Sequence, residues 1–225
     1  MSTPDESYEE QDEDSEEEEV EMTAAEALAK LEEAWLNEKF APDLLESKSD
    51  LVDCMLEQIN QMEENLRKCK KGDMRILIHR MEIDRIRFII SSYLRRRLEK
   101  IEMFHQEILH RDSLRKEDDP LLLSEEELRF AKDYADGVQS HFKSLVLTHL
   151  PQNFQKLDRE KTAPKPDVDS YVFLKANRDQ DQVLIEPELD DDPSAEVVDL
   201  VKDSQYIMRF RPLAPLVADG TVSLI

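Results

Sequence analysis

The stretch "IDRIRFIISSYLRRRLEKIEMF", residues 83 to 104, constrains the chain more than any other. Plotted at about 100° per residue, Ile83, Ile86, Ile90, Tyr93, Leu94, Leu98, Ile101 and Phe104 form one broad apolar stripe. Such a stripe packs on other helices of its own domain. Met81 and Phe88 point almost directly away from it, and Ile89 points to its flank. A helix that is apolar on two sides must be covered on two sides. One cover is its own bundle, and the second is either more of that bundle or another chain. Arg97 falls inside the stripe. A buried arginine needs a carboxylate or several carbonyls, because an unpaired buried charge is very costly. The alternative is an arginine that snorkels to the surface on its long stem.

Other helices flank this one. "TAAE" (Thr23 to Glu26) is a capping box, in which the two side chains satisfy each other's free amides. The helix it opens presents Leu28, Leu31 and Trp35 on one face, and Pro42 stops it. From about Ser49 to Lys71, apolar residues from Val52 to Cys69 recur at three- and four-residue spacing. "RKCKKGD" closes that helix, with basic residues suited to the negative end and Gly72 to a left-handed cap. Asp73 starts the long third helix, which fades near His110. "SEEE" (Ser124 to Glu127) is a second capping box, launching a helix to about Leu150 with Leu128, Ala131, Ala135, Val138, Phe142 and Leu145 inward.

After Pro151 the texture changes. "PQNFQKLDREKTAPKPDVD" holds three prolines and no helical period, which marks a linker. Short β-like runs follow: "SYVFLKA", "QVLIEP", "QYIMRFRP" and "TVSLI", with "APLVADG" as an apolar hook and a glycine turn before the last. The fold class expected is therefore α+β. A disordered acidic tail spans 1–21, a long-helix bundle 22–150, a proline-containing linker 151–167 and a small β-rich module 168–225. A module of 58 residues makes a marginal core by itself, since one core becomes comfortable only at roughly 70 to 80 residues.

Charge and composition narrow the function. The chain carries 53 acidic and 30 basic residues, a formal charge of −23, and about half of the excess lies in residues 1–21. A net negative chain is a poor free-standing binder of nucleic acid. Three glycines disfavour Gly-rich phosphate loops, and no Gly-x-x-x-x-Gly-Lys-Ser/Thr or Gly-x-Ser-x-Gly motif occurs. His105 and His110 are five apart, on different helix faces, so they do not form a metal pair. No catalytic, metal-binding or cofactor-binding residue is nominated, and no cofactor is expected. Cys54 and Cys69 read as reduced packing residues of an intracellular, soluble chain. Ser15, followed by three glutamates, is a candidate phosphorylation site.

Four segments carry a resemblance: "EAWLNEKFAPDLLESK", "IHRMEIDRIRFIISSYLRRRLEKIEMF", "PKPDVDSYVFLKA" and "LAPLVADGTVSLI". In this order they closely resemble the Sld-five family of subunits of the eukaryotic GINS complex. The resemblance covers nearly all of residues 24–225; the connections near 111–123 and 190–196 are individual to this chain. It implies a helical A domain and a β-rich B domain, in a heterotetramer of four related subunits. It also implies assembly with the MCM ring and Cdc45 in the replicative helicase, in the nucleus on chromatin at replication forks and also in the cytoplasm. The expected role is structural, with the ATPase in the MCM ring. The competing class is a DNA-binding factor using "RKCKK" and "RRR" (Arg95 to Arg97), with DNA contact otherwise indirect. Candidate subunit-interface residues are Met81, Phe88, Ile89, Arg95, Arg96 and Arg97. Candidate docking residues of the β module are Tyr171, Phe173, Leu216, Val222, Leu224 and Ile225.

Overall fold

The computed structural model describes residues 23–69, 73–116, 120–152, 155, 163–185 and 196–225. The acidic tail with Ser15, the Gly72 cap and most of the linker lie outside the described residues. Four helices come first: α1 (Ala24–Phe40), α2 (Ser49–Lys68), α3 (Met74–Leu114) and α4 (Glu125–Leu145), the last followed by a 3-10 turn at Leu147–His149. The strands are β1 (Tyr171–Ala176), β2 (Gln180–Ile185), β3 (Glu196–Leu200), β4 (Gln205–Arg209) and β5 (Val222–Leu224), with a helix α5 (Phe210–Ala218) between β4 and β5.

Both capping boxes form. Glu26 accepts from the Thr23 amide at 3.0 Å, and Glu127 accepts from the Ser124 amide at the same distance. Helix α3 has 41 residues, about 60 Å at a rise of ~1.5 Å per residue. Its one departure from helical geometry is at Phe104 (φ −117°, ψ 20°). The face it buries is rotated from the expected stripe. Ile83, Ile86, Ile89, Ile90 and Tyr93 pack against Ala27 and Leu31 of α1 and Val52, Met55 and Ile59 of α2. Leu94 and Leu98 are exposed instead.

Arg97 lies at the centre of a charge cluster that ties four segments together. It is fully buried, so it does not snorkel. Its Nε and Nη2 donate to the two oxygens of Glu127 at 2.7 and 2.9 Å. Nη1 donates to Glu38 Oε2 at 3.1 Å and to the Leu45 carbonyl at 2.8 Å, and Nη2 also donates to the Leu122 carbonyl at 2.7 Å. All five guanidinium N–H groups are thereby used. Glu38 also accepts from Lys100 Nζ at 2.5 Å, and the Asp43 carbonyl accepts from the same ammonium at 2.7 Å. Burial works against the Arg97 charge, but hydrogen bonding to Glu127 and attraction by Tyr93, Glu127 and Glu38 raise its pKa above the usual arginine value. Burial dominates at Lys100, whose pKa is lowered despite Glu38. Glu127 thus caps α4 and anchors α3 at once.

The module's main sheet is antiparallel, in the order β4-β1-β5, and β2 pairs with β3 beside it. Leu174 stands opposite both Tyr206 and Leu224. Alternation along β1 puts Val172, Leu174 and Ala176 inside and Tyr171 and Phe173 outside. Helix α5 covers the inner face with Phe210, Leu213 and Val217. Two expectations are corrected here. The run "QYIMRFRP" stops being a strand at Arg209, and the apolar hook is helix; Pro212 is tolerated because first-turn amides lack intrahelical partners anyway. Gly220 (φ 70°) makes the expected turn into β5.

The module is not separate from the bundle. Ala41, just after α1, belongs to its core, and Leu45 packs against it. The Leu224 amide donates to Asn37 Oδ1 on α1 at 2.7 Å, in a buried contact. Asn177 Nδ2 donates to Glu33 on the same helix at 3.0 Å.

Candidate subunit interface

The N-terminal half of α3 runs beyond what the bundle covers. Met74, Leu77, Ile78, Met81 and Phe88 are all exposed, the last two at 66% and 63%. Their spacing places them along one side of the helix. The Phe88 ring meets the edge of Trp35 at 6.1 Å between centroids, so its position is fixed although its outer face is open. Exposed apolar residues along one helix side, here a ridge, are the kind of surface that a partner covers.

The six candidate interface residues divide. Met81 and Phe88 lie on the ridge, and Arg95 and Arg96 are exposed further along. Ile89 and Arg97 do not belong to any outer surface. Ile89 is buried against α1 and α2, and Arg97 is consumed by the internal charge cluster. The angular plot could not separate flank from core at Ile89 without knowing how α1 and α2 straddle α3. Met74, Leu77 and Ile78 were missed, though their three- and four-residue spacing to Met81 was a usable signal.

Arginines on α3 are held by neighbouring carboxylates. Arg85 pairs with Glu32 and Glu82, Arg87 with Glu63, and Arg96 with Glu99. Hydrogen bonds to Glu82 and then Glu32 raise the Arg85 pKa above its usual value. These pairs offset the charge of Arg85, Arg87 and Arg96 that a phosphate backbone would otherwise meet, while Arg95 stays exposed.

The β-module set divides as well. Tyr171 and Phe173 stand on the outer sheet face with Ile207, and Arg209 lies over the Tyr171 ring at 5.8 Å. Ile225 is partly exposed beside them, its amide bonded to the Phe173 carbonyl. Val222 and Leu224 are fully buried in the module's own core, and Leu216 packs against that core half-buried. Their side chains fill the module's own core, while the Leu224 amide also bonds to Asn37 on α1. On α4, Phe142 and Leu145 were expected inward but are exposed, because the helix continues past a core that ends at Ala131. Among the described residues no helix is long and apolar enough to cross a membrane.

A helical bundle with an open apolar ridge, carrying a small sheet module on its first helix, defines an assembly subunit. The family model for the GINS complex protein helical bundle domain matches residues 46–146, and that for the SLD5 C-terminus matches residues 166–225. The chain is 52% identical to the DNA replication complex GINS protein SLD5 of Mus musculus, over 96% of each chain. Identity to the protein of the same description from Homo sapiens is 49%, again over 96% of each. For that of Arabidopsis thaliana it is 32%, over 87% of this chain and 89% of the relative. The chain belongs to the SLD5 family and is a GINS subunit of DNA replication.

Proposed function

We propose that the chain is a non-catalytic, structural subunit that joins three sister GINS subunits and, through them, the MCM ring and Cdc45 in the replicative helicase. Its place is the nucleus, on chromatin at replication forks, in both initiation and elongation. One observation carries this reading. Helix α3 buries one side in its own bundle and leaves Met74, Leu77, Ile78, Met81 and Phe88 open along the other. Sister subunits cover that ridge. The domains act as expected for the family: the bundle holds the tetramer, and the β module with its exposed Tyr171 and Phe173 makes outward contacts.

Co-expression with the three sister subunits, followed by native mass measurement, tests it. A four-chain assembly is expected, whereas the chain alone self-associates through the open ridge. Replacing Met81 and Phe88 by Ala leaves helical content intact and weakens the assembly. Unchanged association, or a steep loss of affinity with salt as phosphate binding would give, overturns the reading.

A further inference from the structure

Helix α1 runs parallel to α3: Glu32 pairs with Arg85, Trp35 Nε1 donates to Ser92 Oγ at 2.9 Å, and Glu38 meets Arg97. Equal steps back along the two helices from the Glu32–Arg85 pair bring Thr23, the first described residue, level with Ile76. The N-terminal segment therefore leaves from the end of the bundle where α2 finishes and α3 starts. That end is basic, in a chain of formal charge −23. Arg67 and Lys68 close α2, and Arg75, His79 and Arg80 follow in the first turns of α3, all exposed. At about 100° per residue, the last three straddle the side on which Ile83 and Ile86, further along, meet α1 and α2. They lie off the apolar ridge of Met74, Leu77, Ile78 and Met81. Of these cations only Arg75 has an ion pair among the described residues, with Asp73 at 3.5 Å. Glu63 and Glu82 are held by Arg87 and Arg85, which leaves Glu64 as the exposed carboxylate in the last two turns of α2. Residues 1–22, by contrast, hold twelve Asp or Glu and no Lys or Arg.

We propose that residues 1–22 dock back on this basic end of the bundle and guard it against other polyanions, nucleic acid above all. The occupant is the chain's own tail because charge and starting point both match. The tail joins α1 level with the cluster, and a tethered segment meets its site at an effective concentration in the millimolar range. A polyanion from outside must displace it. Exposed pairs are individually weak and are screened over ~8 Å at physiological salt. The contact is therefore an exchanging one, held by the number of charges rather than by one geometry. Tail and cluster belong to one chain, so the inference does not need the GINS reading, and the ridge stays free for sister subunits.

The test uses the full chain in its purified complex and a zero-length carbodiimide, which joins a carboxylate to a lysine in contact with it. Peptide mapping should find tail carboxylates joined to Lys68 about threefold more often than to Lys30, because the cluster concentrates them. Lys30 is the control, exposed on α1 and nearer the tail in sequence. Arg67→Ser, Arg75→Ser and Arg80→Ser together remove charge but keep both lysines. They should equalise the two yields without loss of assembly or melting temperature, and so should salt at about 1 M, where the screening length is ~3 Å. Guarding is read with a single-stranded oligonucleotide. Deleting residues 2–21 should tighten its binding about threefold, as for a site filled two thirds of the time, and should change nothing in the triple variant. Even yields at Lys68 and Lys30, or yields unmoved by the substitutions, overturn the docking. Equal tightening with and without the three arginines shows general repulsion and overturns the guard. Lys68 joined only to a sister subunit's carboxylates gives the cluster to that subunit and overturns the proposal while the four-chain reading stands.

Discussion

Arg97, Lys100, Glu38 and Glu127 lie buried together in the bundle, whereas the eleven buried residues that the β module brings to its core are all apolar. The bundle has apolar area to spare, and its long helices could slide past one another at similar burial. A buried charge cluster adds little net stability, but it admits one arrangement, since every N–H of Arg97 must find its acceptor. The module has the opposite problem. It is too small to surrender apolar volume to charges, so it stays dry and extends its core with Ala41 and Leu45 from outside itself. Size decides which region can include a charge cluster. We read the cluster as a device for register, which the predictions can break.

The largest effect is expected at Arg97. Arg97→Ala leaves Glu127 buried without a cation and Glu38 with Lys100 alone, and should destabilise the bundle by about 3–5 kcal/mol. Replacing Arg97, Glu38 and Glu127 together by apolar residues of similar volume should recover most of that, with poorer register. Thermal melting reads the first, and loss of dispersed methyl resonances reads the second. If the triple variant is as unstable as Arg97→Ala and still well ordered, the cluster stabilises rather than specifies.

Leu224→Ala comes next. Leu224 is fully buried opposite Leu174, and removing such a side chain costs about 2–5 kcal/mol. The loss should fall on the module. Limited proteolysis should cut first within 163–225 and leave a fragment near 23–146. Simultaneous digestion of both regions would show that the two form one cooperative unit.

How much of this contrast was legible follows from what each region depends on. The capping boxes, the stop at Pro42 and the extent of α3 depend on residues three or four apart, and the sequence carries them. That a buried Arg97 needs a carboxylate or several carbonyls was legible, with snorkelling as the alternative, but Glu38 and Glu127 were not identifiable, being 59 and 30 positions away. Burial of Ile89 depends on where α1 and α2 cross α3, which periodicity does not encode. In the module, β3 hid in an acidic stretch, and α5 hid behind Pro212 and Pro215, residues that usually argue against helix. The contact of Asn37 with Leu224 spans 187 positions and left no local trace.

That contact gives the third prediction. Asn37→Ala leaves the Leu224 amide buried without an acceptor, a loss of about 1–3 kcal/mol. Because Asn37 lies on α1 and Leu224 on β5, the effect should appear at the junction. Hydrogen exchange should quicken at Leu224 and along β5 but not at the Arg97 cluster. Exchange unchanged at β5 would mean that Ala41 and Leu45 hold the module without the asparagine.

The smallest effect concerns the exposed pairs at the ends of the main sheet. Arg211 grips Asp169 with two hydrogen bonds of 2.8 and 2.7 Å, and Lys175 meets Asp203 at 2.9 Å. The hydrogen bond from Arg211 holds the Asp169 carboxyl below its ordinary value of 3.8, and that from Lys175 does the same for Asp203. A carboxyl depressed in the folded state stabilises it above the ordinary pKa and ceases to do so as pH falls through the lower, folded value. Acidification below about pH 3.8 should therefore loosen these sheet ends, read as faster exchange at Tyr171, Lys175, Gln205 and Arg209. Salt should act in the same direction, since at about 1 M the screening length is only ~3 Å and exposed pairs fade. The Arg97 pairs, shielded from ions by burial, should not respond to salt. Equal salt sensitivity in the two regions would mean that solvent reaches the cluster, and the contrast between a sealed charge cluster and open clamps would fail.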